Sequence, residues 1–224
     1  MHAETRTIRD GLSGELCYTK PTSQLLVICH GYKSSSEHPA LVAMADGLNV
    51  KGYATFMFNF SGTNPLDLTQ QTTDIGDISK YFADDYSDIT LLAGSFSALS
   101  AAIAARREDF ARLITVNGFF GSAQLGRQFK PTFLAFKALT LASSRHRKIW
   151  DFYRHEYQPE QITIPTLVMH SAADTVVSAV QSKDFYERLG GPKRFVDLAP
   201  ADHHLSTEAY TTRVVNEIDS WLQP

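Results

Sequence analysis

Six short apolar runs alternate with stretches of helical spacing, and this alternation limits the chain to one broad architecture. Gln24–Cys29, Ala54–Phe58, Ile89–Ala93, Leu113–Val116, Thr166–His170 and Arg194–Leu198 are rich in β-branched, Leu or aromatic residues, and turn-forming residues close them. Unbroken apolar runs of this length read as strands buried on both faces. Between them, apolar positions recur at three- and four-residue spacing: Leu41, Met44, Ala45 and Leu48; Ile75, Ile78, Tyr81 and Phe82; Leu99, Ala102, Ile103 and Arg106; Val180, Phe185 and Leu189; Val214, Val215, Ile218 and Leu222. Strands that take turns with helices build βαβ units. The expected fold is therefore α/β, a mainly parallel central sheet with helices on both faces and ligands beyond the carboxyl ends of the strands. Thr5–Arg9 and Glu15–Thr19, around Gly11 and Gly14, predict an antiparallel hairpin on the sheet edge.

At 224 residues, one domain spanning 1–224 is expected. Its 21 Lys and Arg against 24 Asp and Glu leave a formal charge of −3, so no global field favours nucleic acid, and no nucleic-acid partner is expected. The longest apolar stretches fall far short of the roughly 20 residues that span a bilayer, so no membrane span is expected. Met1-His2-Ala3-Glu4 lacks the basic and apolar regions of a signal peptide, and Cys17 and Cys29 form no disulfide framework; a cytoplasmic location is the expectation. Oligomeric state stays open, a homodimer included.

Residues 119–164 break the alternation. Helical stretches are expected at Phe133–Ala142 and Lys148–Tyr157, but no parallel strand. The segment carries seven basic residues against three acidic ones, and nine of the 25 aromatics. It reads as a small helical cap inserted in the domain. Phe119, Phe120, Phe133, Phe136 and Trp150 are the expected substrate-binding wall residues, while Arg145, Arg147 and Lys148 face solvent or favour an acidic substrate group. The plainer reading is a pair of packing helices with a solvated basic face.

The most informative stretch is Ile89-Thr90-Leu91-Leu92-Ala93-Gly94-Ser95-Phe96-Ser97-Ala98-Leu99, in which an apolar strand runs through a small-residue turn into an Ala-rich helix. A nucleophilic serine on such a strained turn needs small residues two before and two after it, which Ala93 and Ser97 supply around Ser95. Ser97 is disfavoured because Leu99 would occupy one of those positions. His30-Gly31-Tyr32 opens a Gly/Ser-rich loop after an early strand. Backbone N–H groups of Tyr32 and Phe96 are the expected oxyanion donors, with His30 bracing the loop. Asp174, in the loop after Thr166–His170, is placed to orient an imidazole, and His203-His204 follows the last strand, completing the order Ser, Asp, His. No HExxH and no Cys/His cluster has zinc-ligand spacing, so neither metal nor organic cofactor is expected. Cys29, closing an apolar strand, reads as a small buried hydrophobe.

Through LLVICHGYKSSSEHP, LLAGSFSALSAAIAA, PTLVMHSAADTVV and APADHHLS, nearly the whole chain resembles the α/β-hydrolase superfamily, in the style of its small capped esterases and acyl hydrolases. Ala93 and Ser97 stand where the G-x-S-x-G pattern has glycines. Ala201-Asp202-His203 matches the family's histidine loop, which makes His203 rather than His204 the implied base. The resemblance implies a catalytic triad of Ser95, Asp174 and His203, an oxyanion hole and a carboxylesterase-like serine hydrolase acting on a small-molecule ester or acyl substrate. Peptidase, thioesterase and acyltransferase chemistry would use the same residues, and a non-catalytic binding protein is the rival of another class.

Overall fold

The computed structural model describes residues 1–121, 152 and 154–223. In β3 (Gln24–Cys29), Leu25, Val27 and Cys29 point to one face and Leu26 and Ile28 to the other, and all five are buried. The same division holds in β4 (Ala54–Phe58), β5 (Asp88–Gly94), β6 (Arg112–Val116) and β7 (Thr166–His170), so the uninterrupted apolar runs follow from a sheet covered on both sides. One layer holds α2 (Leu68–Phe82), α3 (Ser97–Arg107) and α4 (Ala179–Arg188), with Ile75, Phe82 and Phe185 against Val27, Phe56 and Leu91. The opposite layer holds α1 (Pro39–Lys51) and α5 (Glu208–Leu222), with Met44, Leu48, Val214 and Ile218 against Leu26, Ile28 and Ile114. Full burial of each such side chain stabilises by about 1.5–3 kcal/mol.

Among the described residues the sheet has eight strands in the order β1-β2-β4-β3-β5-β6-β7-β8, where β1 is His2–Arg9, β2 Leu12–Tyr18 and β8 Lys193–Asp197. From β4 to β8 every neighbouring pair is parallel, while β1 and β2 are antiparallel to each other and β2 to β4. The edge hairpin is present, but its turn is Asp10-Gly11 alone, since Arg9 faces Leu12 and Gly11 takes a φ of +73°. Gly14 lies inside β2 instead of in the turn. A Cβ there would come within 2.4 Å of the Met57 carbonyl oxygen and 2.6 Å of the Phe56 ring, so the glycine lets β2 lie close on β4.

Strand order reverses between β3 and β5: the chain leaves β3 for β4 on one side and continues from β5 to β6 on the other. Crevices form outside the carboxyl ends of strands at such a switch point. Of the expected cap, Phe119–Gly121, Phe152 and 154–164 are described, and Arg154–Glu156 are helical. The stretch Phe133–Ala142, with Phe133, Phe136, Trp150, Arg145, Arg147 and Lys148, lies outside the described residues.

Candidate active site

Ser95 follows β5 at the switch point with φ +54°, left-handed backbone that L residues seldom adopt. Hydrogen bonds hold it there: its amide donates to the Val116 carbonyl at 3.1 Å, and its own carbonyl accepts from Phe119 at 2.8 Å and Ala98 at 3.2 Å. Gly31, two residues past the end of β3, lets the two segments approach; a Cβ there would stand 3.1 Å from the Ser95 Cβ. Ser97 is turned into the interior, where its hydroxyl donates to the carbonyls of Cys29 at 3.0 Å and Gly94 at 2.9 Å. It braces the turn and does not face the cleft. Cys29 itself is fully buried, and that burial pushes its thiol well above the ordinary range.

Two further loops at the same sheet edge bring an imidazole and a carboxylate to Ser95. His203 Nε2 lies 3.1 Å from Ser95 Oγ, and His203 Nδ1 lies 2.7 Å from Asp174 Oδ2. With Nδ1–H donating to the carboxylate, Nε2 is left as the acceptor of the serine proton. Asp174 is fully buried. Burial favours its neutral form, but hydrogen bonds from His170, His203 and the Val177 amide outweigh it and hold the carboxyl far below the usual carboxylate range. Its Oδ1 accepts from the Val176 and Val177 amides at 2.7 and 2.9 Å, so both oxygens are committed. His204 is exposed, with its ring 5.1 Å from that of His203.

The loop after β3 forms the facing wall. His30 donates through Nδ1 to the Gly31 carbonyl at 2.9 Å and accepts the Phe60 amide on Nε2 at 3.4 Å, the bracing place expected of it. Burial favours its neutral form. Among the described residues, neither the Tyr32 nor the Phe96 amide donates to another group. A cleft of about 480 Å³ opens over the serine, lined in part by Tyr32, Lys33, His38, Leu41, Met44 and Val176. Of the aromatics expected on a substrate wall, Phe119 is half-buried and stacks on Phe96 at 5.7 Å, beside the serine. Phe120 instead sits in the core, wholly buried and stacked 4.0 Å from Phe185, with its amide and that of Gly121 donating to Gln181 Oε1 on α4 at 3.0 and 3.1 Å.

No protein-family model and no curated protein matches the sequence. Solved structures do match over nearly the whole chain. The esterase domain of a Rhodothermus marinus protein superposes with a TM-score of 0.75 at 19% identity, covering 99% of this chain and 98% of that one. Est1E from Butyrivibrio proteoclasticus gives 0.73 at 21% identity, covering 96% of each chain; a further structure of Est1E holds ferulic acid. The dienelactone hydrolase of Anabaena variabilis gives 0.73 at 17% identity, covering 98% of this chain and 95% of that one. This chain has the α/β-hydrolase fold.

Within that fold, three residues around the site escape a reading of the sequence. Asn117, at the end of β6 with φ +48°, donates to the carbonyls of Asp202 at 3.3 Å and His203 at 3.2 Å and accepts the Ser171 amide at 3.0 Å. One side chain thus ties the histidine loop to the acid loop of the α/β-hydrolase scaffold. His170 and Ser182 lie behind Asp174, both fully buried, with His170 Nδ1 2.6 Å from Ser182 Oγ. The only local signal at Asn117 is an Asn-Gly pair after a strand; His170 reads as the last residue of an apolar run.

Proposed function

We propose that the protein is a serine hydrolase that cleaves carboxylic esters of small or medium acyl or aryl groups through an acyl-enzyme on Ser95. The observation that carries this reading is the continuous chain from Ser95 Oγ to His203 at 3.1 Å and from His203 to the buried Asp174 at 2.7 Å. His203 Nε2 takes the serine proton as Oγ bonds to the acyl carbon, and the carbonyl electrons move to the oxygen. The Tyr32 and Phe96 amides receive that oxyanion, a donor of this kind contributing roughly 10²–10³ in rate. The imidazolium, stabilised by Asp174, returns its proton to the departing alkoxide. Water then repeats the sequence on the acyl-enzyme, releasing the acid and restoring Ser95.

The esterase names among the similar structures, and the ferulic acid held by Est1E, favour an ester and an aryl-tolerant pocket. Segment 119–164, with its aromatic and basic excess, is proposed as the cap that shapes this pocket, Phe119, Phe133, Phe136 and Trp150 contributing wall. A graded series of p-nitrophenyl esters and a fluorophosphonate probe test the reading. Wild type should hydrolyse the shorter esters and take up one probe per chain, and Ser95→Ala should lose both, with kcat lower by roughly 10³-fold or more. Hydrolysis undiminished in Ser95→Ala would overturn it.

A further inference from the structure

Asp174 serves two histidines, and the mechanism above uses one. His170 ends β7, is wholly buried, and places Nε2 3.3 Å from Asp174 Oδ2, the same oxygen that holds His203. Nε2 also lies 3.2 Å from the Val177 carbonyl. Both neighbours only accept, so Nε2 carries the hydrogen. On the far side of the ring Nδ1 faces Ser182 Oγ at 2.6 Å, and that hydroxyl lies 3.4 Å from the Gly118 carbonyl. A neutral ring accepts a hydrogen bond from the hydroxyl at Nδ1, while a charged ring donates to the hydroxyl oxygen, whose own O–H then donates to the Gly118 carbonyl. In either state Nε2–H lies between the Val177 carbonyl at 3.2 Å and Asp174 Oδ2 at 3.3 Å, so its positive end faces the acid.

We infer that His170 is a positioning residue that shares Asp174 Oδ2 with His203 and so sets how strongly the acid holds the proton on the catalytic base. This goes beyond the hydrolase reading but rests on it for the roles of His203 and Asp174. A second donor on Oδ2 draws charge from that oxygen, and a protonated His170 would oppose a charged His203 directly. Each effect loosens the proton on His203, so the sign does not depend on the charge of His170. Among the described residues, the ionisable groups facing His203 are Asp174, Ser95, His204 and, across the cleft, Tyr32, Lys33 and His38. Facing His170 among the described residues is Asp174. Asp197, its register partner on β8, is exposed and turned to the Ala172 and Ala199 amides.

Two substitutions of similar size separate tuning from packing. His170→Gln keeps an N–H where Nε2 stands, whereas His170→Asn reaches only the Ser182 side. In His170→Asn the acid limb of kcat/KM should move to higher pH by about half a unit or more, and His170→Gln should retain the wild-type limb. Proton NMR reads the same quantity without turnover: two low-field imidazole N–H signals in wild type, one in His170→Asn, with the His203 titration moved up in parallel. A folded His170→Asn with the wild-type limb and titration, or His170→Gln displaced as far as His170→Asn, would overturn the inference. Should His170→Asn not fold, Ser182→Ala takes its place. Losing the hydroxyl weakens the preference for Nε2–H and should give a smaller shift in the same direction; no shift would overturn the inference. Absent ester hydrolysis with the NMR shifts intact would refute the hydrolase reading alone.

Discussion

At Ser95 the side chain and the backbone make opposing demands. A residue with a Cβ held at φ +54° is strained by about 1–3 kcal/mol, and the surrounding hydrogen bonds must hold it there. Glycine carries no such penalty. Ser95→Gly and Ser95→Ala should both be inactive, yet the glycine variant relieves the strain at an entropy cost of about 0.5–1 kcal/mol; a net gain of about 1 kcal/mol would melt it about 2–4 °C above the alanine variant in a chain of this size. Differential scanning calorimetry on the pair decides it, and equal or lower melting of the glycine variant would show that the strain is no larger than glycine's entropy cost. Ser97→Ala supplies the contrast: it removes two hydrogen bonds to the carbonyls of Cys29 and Gly94, so stability falls while probe uptake at Ser95 persists. That Ser95, and not Ser97, stands against His203 could be anticipated because small flanking residues are a local requirement of such a turn. The place of His170 could not, because its neighbours Asp174, Val177 and Ser182 assemble around it only when β7, the acid loop and α4 pack together.

Between elements, the site depends on how three carboxyl-end loops are tied together. Asn117 ties two of them with one amide, joining the Ser171 amide on the acid side to the Asp202 and His203 carbonyls on the base side. Asn117→Gly suits the φ of +48° and removes only the amide, leaving buried backbone groups unpaired. It should lower kcat by roughly 10- to 100-fold through loss of alignment between His203 and Ser95, with a smaller effect on KM. Steady-state kinetics on a short p-nitrophenyl ester check this, and an unchanged kcat would show that the loops hold their places without Asn117. The third loop is tied differently: buried Asp74 of α2 accepts from Arg9, from Gln70 at 3.0 Å, and from the Ser61 amide and hydroxyl at 2.7 and 2.8 Å, which fixes the segment bearing Phe60 against His30. The six parallel strands were readable to within a residue at each end from their apolar runs, whereas β1 and β2, at the sheet edge, begin at His2 and Leu12, three residues before the expected Thr5 and Glu15. Cross-loop ties were not readable, since Asn and Asp in loops serve turns and caps just as well. Gly14 shows the converse limit: glycine signals a turn, but here it serves close strand packing that only the partner strand reveals.

For the whole molecule, the parallel α/β plan follows from the order of strands and helices, whereas the switch between β3 and β5 that opens the cleft follows from pairing, which no local pattern encodes. The charge of −3 is likewise legible from the sequence, but the group expected to couple stability most closely to the site in acid is a single buried carboxylate. Asp174 is held below the ordinary value in the fold, so in acid the unfolded chain binds the proton first. Its contribution is therefore fully present above the unfolded value of about 3.9 and is lost as pH falls through the lower folded one. Asp174→Asn has no proton to bind there. Urea unfolding at graded pH should show wild type more stable than Asp174→Asn near neutrality, with the difference shrinking as pH is lowered through about 4. The surface carboxylates Asp197, held low by the Ala172 and Ala199 amides, and Asp202, held low by the Ser206 hydroxyl and amide, are common to both proteins and cancel in that difference. A difference that stays constant or widens down to pH 3 would mean that Asp174 is not held ionised by His170, His203 and the Val177 amide, and the electrostatic frame of the site would have to be redrawn.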